Sequence, residues 1–121
     1  MLRGAAGLMR SRQLAELVTT ALEDIKAQDV QQLDVRKLTS IMDFMIVATG
    51  TSDRHVRSIA DKVIEAAKEK GVRTIGVEGA DSAEWVLVDF GDVVLHVMQR
   101  KVRELYQLEK LWELKPARTR K

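Results

Sequence analysis

The chain has 121 residues and contains no cysteine, one proline and only two histidines. The absence of cysteine excludes disulfide frameworks, thiol nucleophiles, zinc fingers and iron–sulfur clusters. Two histidines are too few for a histidine-rich metal site, and we expect neither a metal nor another cofactor. The longest unbroken apolar run covers residues 44–48, far short of the roughly 18 residues that a membrane-spanning helix needs. We therefore expect a soluble, cytoplasmic protein without a membrane partner.

Basic residues without acidic neighbours are concentrated at the two ends of the chain. Residues 1–12 hold three arginines, and residues 115–121 hold two arginines and two lysines, with no acidic residue in either segment. Residues 13–114 hold all 18 acidic residues and 13 of the 20 basic ones, a net charge of −5. We expect one acidic domain between two basic tails. Such a domain suits a basic partner, and the tails predict nonspecific contact with RNA phosphates.

Hydrophobic periodicity predicts the element order α-β-β-α-β-β-β-α. Apolar residues at helical spacing run from Leu14 to Ile25 and from Val56 to Ala67, with Ser11 and residues 50–53 as N-capping candidates. Strands are expected at residues 30–35, 44–48, 72–77, 85–90 and 93–98, and a last helix from about Lys101 past Trp112 to Pro116. These elements predict a single α/β domain, with a mixed β-sheet and helices packed mainly on one face.

The turn at Gly91 and Asp92 defines the clearest hairpin. Glycine at the first turn position suits a type II′ turn and avoids placing Asp89 directly opposite Asp92. This register gives one apolar face, which should meet the helices. The opposite face carries Trp85, Leu87, Asp89, Val94, His96 and Met98. Such a mixed face is typical of a protein-binding patch, but the last helix could also cover it, and the residues alone leave both alternatives open.

Three short motifs could carry chemistry, but each lacks a necessary partner. His96 and Asp89 share a face without the nucleophile and oxyanion hole of a triad. Residues 49–52 join a strand to a helix N-terminus, where phosphates can bind, but they lack the P-loop lysine and the dinucleotide-binding glycines. Asp89 and Asp92 have no visible third metal ligand. We therefore expect no enzymatic activity. The alternative is a nucleotide-binding or nucleotidyl-transferring enzyme that uses residues 49–52 and Asp89.

Three sequence blocks resemble the signature of the bacterial ribosomal silencing factor family, also called Iojap. The first block is residues 43–55, and the third is residues 105–112. The second combines residues 76–79, Trp85, residues 88–94 and residues 96–98. The blocks come in the family's order and spacing, and the resemblance covers about residues 13–113.

The resemblance implies a nucleotidyltransferase-like fold without a working metal site. It also implies binding to the large ribosomal subunit through its basic protein number fourteen. Binding there would block joining of the small subunit and repress translation when nutrients are short. A role in large-subunit maturation and a homodimer in the free state are implied as well.

The family's contact tryptophan maps onto Trp85, which favours the protein-binding alternative for the mixed face. We expect Leu87 and Met98 to be the apolar neighbours of this anchor. Asp81 and Glu84 are the expected partners for basic side chains of the ribosomal protein.

Overall fold

The computed structural model describes residues 9–110, which form three helices and one five-stranded sheet. The helices are α1 (Ser11–Asp24), α2 (Asp53–Glu69) and α3 (Arg100–Tyr106). The strands are β1 (Gln28–Asp34), β2 (Phe44–Gly50), β3 (Gly76–Glu78), β4 (Trp85–Asp89) and β5 (Val93–Gln99). The predicted α/β class and element order are confirmed. None of the helices within residues 9–110 is long and apolar enough to cross a membrane.

The sheet is mixed and has the strand order β1-β2-β5-β4-β3. Strands β2 and β5 are parallel, and the other neighbouring pairs are antiparallel. Strand β2 lies inside the sheet and is buried along its whole length, as its continuous apolar sequence predicts. The parallel pair therefore forms the centre of the fold, and the hairpin of β4 and β5 extends from it.

Helices α1 and α2 cover one face of the sheet, as predicted. Their buried residues follow helical spacing and pack against the apolar face of the hairpin. The predicted register is confirmed, because Val88 pairs with Leu95 and Val86 with Val97. The Phe90 amide donates to the Val93 carbonyl at 2.9 Å and closes the turn. The mixed face of the hairpin consequently points away from α1 and α2.

Two predicted boundaries near helix ends are wrong. The N-cap of α1 is Arg10, whose amide donates to the Gln13 side chain at 3.0 Å, and Ser11 is already helical. The predicted strand at residues 72–77 shortens to β3, because a Schellman motif binds the chain back to α2. In this motif the Val72 amide donates to the Ala67 carbonyl at 2.9 Å.

The last helix is interrupted, contrary to the prediction of a continuous one. Helix α3 ends at Tyr106 because Gln107 adopts a left-handed conformation, with φ 46° and ψ 50°. A helical turn follows at residues 108–110. The expected continuation through Trp112 to Pro116 and the predicted C-terminal tail lie outside the described residues. Residues 1–8 of the predicted N-terminal tail also lie outside them, whereas its last two residues, Ser11 and Arg12, belong to α1.

Candidate protein-binding surface

Trp85 lies on the sheet face opposite α1 and α2, and its side chain is half-buried. Its indole Nε1 donates a hydrogen bond to Nδ1 of His96 at 3.0 Å. The Tyr106 ring packs against it with the ring centroids 5.0 Å apart and the planes inclined by 49°. The indole is therefore held in one orientation by two neighbours while part of it stays accessible to solvent.

Helix α3 covers only part of this face. Beneath it lies a small second core of Val35, Met45, Val47 and Met98. Met98 pairs with Trp85 across β4 and β5, so it is the neighbour of Trp85 that the sequence predicts, but it is fully buried and offers no surface to a partner. Leu87 remains half-buried, in the row next to Trp85 on β4. The last helix thus covers one part of the face, and the part around Trp85 and Leu87 stays partly exposed.

His96 is a structural partner of Trp85. Its cross-strand neighbour is Leu87, whereas Asp89 accepts a hydrogen bond from the Gly91 amide at 2.7 Å. Burial lowers the pKa of His96 to about 4, so the ring is neutral at pH 7. Because its Nδ1 accepts from the indole, the proton sits on Nε2. No base–carboxylate pair of His96 with Asp89 forms.

Acidification is expected to destabilise the fold through His96. Its pKa is about 4 in the folded protein and about 6.5 in an unfolded chain. The contribution is therefore complete above pH 6.5 and is lost as the pH falls through the folded pKa. The shift corresponds to about 3 kcal/mol of unfolding free energy. Urea unfolding between pH 7 and pH 4 measures this loss, and His96→Gln should abolish it.

Asp34 provides a separate titration in the same experiment. Hydrogen bonding to Arg36 lowers the pKa of Asp34 from 3.8 to about 2, so its contribution to stability is lost only as the pH falls below about 3.8. The two titrations therefore occupy different pH ranges. An equally steep loss between pH 6.5 and pH 4 in His96→Gln would contradict the assignment to His96.

The loop before β4 fixes the position of the Trp85 backbone. Gly79 has a φ of 87°, and a Cβ at this position would lie 2.1 Å from the carbonyl oxygen of Trp85. Arg57 of α2 donates to the carbonyl of Ala80 at 3.0 Å and to that of Asp81 at 2.7 Å. The Glu84 carbonyl accepts from the Gln99 amide at 3.0 Å. The backbone of this loop is thus held from two sides, while the Asp81 and Glu84 side chains are exposed.

The charged residues that flank Trp85 in the sequence are all acidic. Between Gly76 and Gln99 the chain has five acidic residues and no lysine or arginine. Glu78 pairs with Leu87 across β3 and β4, so it lies on the same face as that residue. Glu84 directly precedes Trp85. Of the five predicted site residues, Trp85 and Leu87 share one face of β4 and Met98 lies buried on that side of the sheet, whereas Asp81 and Glu84 are exposed in the loop before β4.

The residues of the enzymatic alternative lie apart. Thr49 and Asp89 are aligned with Met98 and Val94, near opposite ends of β5. The Thr51 amide donates to His55 Nδ1 at 2.9 Å, so it is already used within the fold. Within residues 9–110 no group of three or more histidine, aspartate or glutamate side chains could hold a metal ion.

Sequence reasoning missed two residues that shape this surface, the exposed Tyr106 and the buried Arg103. Tyr106 follows Val102 by four positions, a spacing that places both on one helix side. That periodicity was a usable signal for Tyr106. Arg103 had none, because its partners lie at distant positions on β1 and β2.

Comparison with known proteins identifies the family. The family model described as "Ribosomal silencing factor during starvation" matches residues 9–121. The chain belongs to the ribosomal silencing factor family. The ribosomal silencing factor of Chromobacterium violaceum is 51% identical over 104 residues, which is 86% of this chain and 85% of that protein.

Other relatives of the chain agree with this family assignment. A crystal structure of a Chromobacterium violaceum protein matches with a TM-score of 0.85 and 50% identity, covering 87% of this chain and 88% of that one. Mouse "Mitochondrial assembly of ribosomal large subunit protein 1" is 31% identical over 103 residues, 83% of this chain and 45% of that protein. The predicted family is confirmed, and it supports a ribosome-associated silencing role.

Proposed function

We propose that this silencing factor binds the large ribosomal subunit in the cytoplasm through ribosomal protein number fourteen. Bound there, it occupies the surface that the small subunit needs, and so it represses translation when nutrients are limited. The observation that carries the proposal is the half-buried Trp85, which His96 and Tyr106 hold in place and which follows a loop with exposed Asp81 and Glu84. An aromatic anchor with complementary charge around it suits docking to a basic protein.

In the proposed interface four residues contact the ribosomal protein, each in a different role. Trp85 is the anchor, and Leu87 extends its apolar area along β4. The exposed side chains of Asp81 and Glu84 face basic groups of the ribosomal protein. Met98 supports the anchor from below and does not touch the partner, because α3 covers it.

We further propose that the protein acts without enzymatic activity. The separation of Thr49 from Asp89 in the sheet supports this, since a nucleotidyl-transferring site would need such groups to converge. A role in large-subunit maturation is proposed from the likeness to the mouse protein named for assembly of that subunit. We also propose a homodimer for the free protein.

Subunit joining tests the steric mechanism directly. Large subunits preincubated with the protein should form fewer joined ribosomes when small subunits are added, because the joining surface is occupied. Sucrose-gradient profiles at increasing protein concentration measure this decrease. Undiminished joining by large subunits that carry the bound protein would contradict the mechanism. Adding the protein after joining gives the matched control for order of addition.

A further inference from the structure

We propose that α3 forms the second half of the docking surface, with Leu105 and Tyr106 contacting the same basic protein as Trp85. The inference rests on the proposed function and extends its site from the hairpin to a second element. Tyr106 is 57% exposed although its ring packs against Trp85. Leu105, the preceding residue, is 74% exposed. Since Tyr106 packs against Trp85 and Leu105 is next to Tyr106 in sequence, the accessible apolar surface continues from β4 onto α3.

The helical period explains which sides of α3 are accessible. Val102 packs against the second core, and Arg103 is buried. Tyr106 lies one turn after Val102, so it falls on the same side, above Trp85. Leu105 lies on the flank that faces away from Arg103, since the two positions differ by about 160° around a helix of 3.6 residues per turn. Two neighbouring apolar side chains thus point to solvent beside the anchor.

Helix α3 is held firmly enough to present these side chains in fixed positions. Arg103 donates from Nε to Glu109 Oε2 at 3.1 Å and from a terminal nitrogen to Thr49 Oγ1 at 2.9 Å. The same terminal nitrogen also donates to the Asp29 carbonyl. Arg100 pairs with the Asp29 carboxylate at 2.9 Å. These contacts attach α3 to β1 and β2. Binding of a partner would therefore cost little free energy for ordering the helix.

The charges favour a basic protein as the occupant. Glu104 is exposed next to Leu105, and Glu84 is exposed next to Trp85. Arg100, at the start of the helix, is paired with the Asp29 carboxylate. Arg103 is buried and paired with Glu109, and Lys101, one turn before Leu105, is exposed. Exposed glutamates therefore adjoin the apolar residues in sequence on both elements, and Glu78 shares the face of Leu87, a charge pattern that suits a basic partner.

Leu105→Ala tests the inference, and Ile75→Ala is its matched control. Both changes remove the same three carbons from a largely exposed side chain, since Ile75 is 69% exposed. Ile75 lies over Gly91 at the far end of the hairpin from Trp85. Leu105→Ala should weaken binding to purified large subunits by about tenfold, whereas Ile75→Ala should stay within about twofold of wild type. Equal melting temperatures would show that both variants keep the fold.

Two substitutions of opposite charge at Leu105 identify the kind of partner that binds there. Leu105→Lys should bind more weakly than Leu105→Glu, because a basic partner repels the lysine. Wild-type-like binding by Leu105→Ala, with Trp85→Ala defective, would overturn this inference and leave the proposed function standing. No binding by wild type would overturn both. If Leu105→Ala changes only the self-association of the free protein in sedimentation velocity, the occupant is a second copy and the inference is wrong.

Discussion

Trp85→Ala is expected to weaken binding to the large ribosomal subunit by about thirtyfold or more. Truncating a tryptophan at the centre of an interface to alanine typically costs about 2 kcal/mol or more of binding free energy. In this protein the indole is already fixed by His96 and Tyr106, so little side-chain entropy is lost when the partner covers it. Co-sedimentation with purified large subunits at fixed ionic strength measures the effect.

Two controls separate loss of contact from other causes. Thermal melting of Trp85→Ala reports how much of the change comes from the folded state, since the variant also loses its bond to His96. A tail-trimmed chain lacking residues 1–8 and 115–121 tests attachment through RNA phosphates. Its N-terminal boundary must stay before Arg10, which is the N-cap of α1. Steeply salt-dependent binding that follows the tails and ignores Trp85 would show that the surface assignment is wrong.

Arg103→Ala is expected to lower the unfolding free energy by about 3 kcal/mol or more. Removing one partner of a buried ion pair leaves the other charge uncompensated. In this variant Glu109, with only 15% of its side chain exposed, loses its partner. The buried hydroxyl of Thr49 and the carbonyl of Asp29 lose their donor as well. Urea unfolding followed by circular dichroism measures the change.

Arg100→Ala is the matched control for this prediction. Arg100 pairs with Asp29 at the surface, where both side chains are at least half exposed, and such pairs contribute at most about 1 kcal/mol. The two variants remove the same side-chain type from the same helix, three positions apart. Equal destabilisation by both would contradict the role of Arg103 as the buried attachment of α3.

The sequence predicted those elements whose signal is local and repeated. The helical spacing in α1 and α2 and the apolar run of β2 identify a side that must be buried, and burial decided their structure. The hairpin register followed from one electrostatic argument about Asp89 and Asp92. In each case the deciding interaction lies within a few residues along the chain or within one hairpin.

The errors arise where the structure depends on contacts between distant residues or on an unusual backbone conformation. Gln107 interrupts the last helix in a left-handed conformation that a glutamine does not signal. The burial of Met98 depends on where α3 lies, and Arg103 sets this through partners on β1 and β2. The family resemblance could therefore suggest Trp85 as the anchor. The sequence could not show that α3 would cover one side of the mixed face and place Tyr106 against Trp85.

The hydrogen bond between Trp85 and His96 also restricts how any partner can recognise the anchor. The indole has a single N–H donor, and the fold already uses it. A partner therefore meets the aromatic ring of Trp85 through dispersion and through the negative potential of the π face. A lysine or arginine placed over that face would gain a cation–π interaction. Selectivity among basic partners would then depend on the exposed Asp81 and Glu84, which belong to the loop whose backbone Gly79 and Arg57 hold before β4.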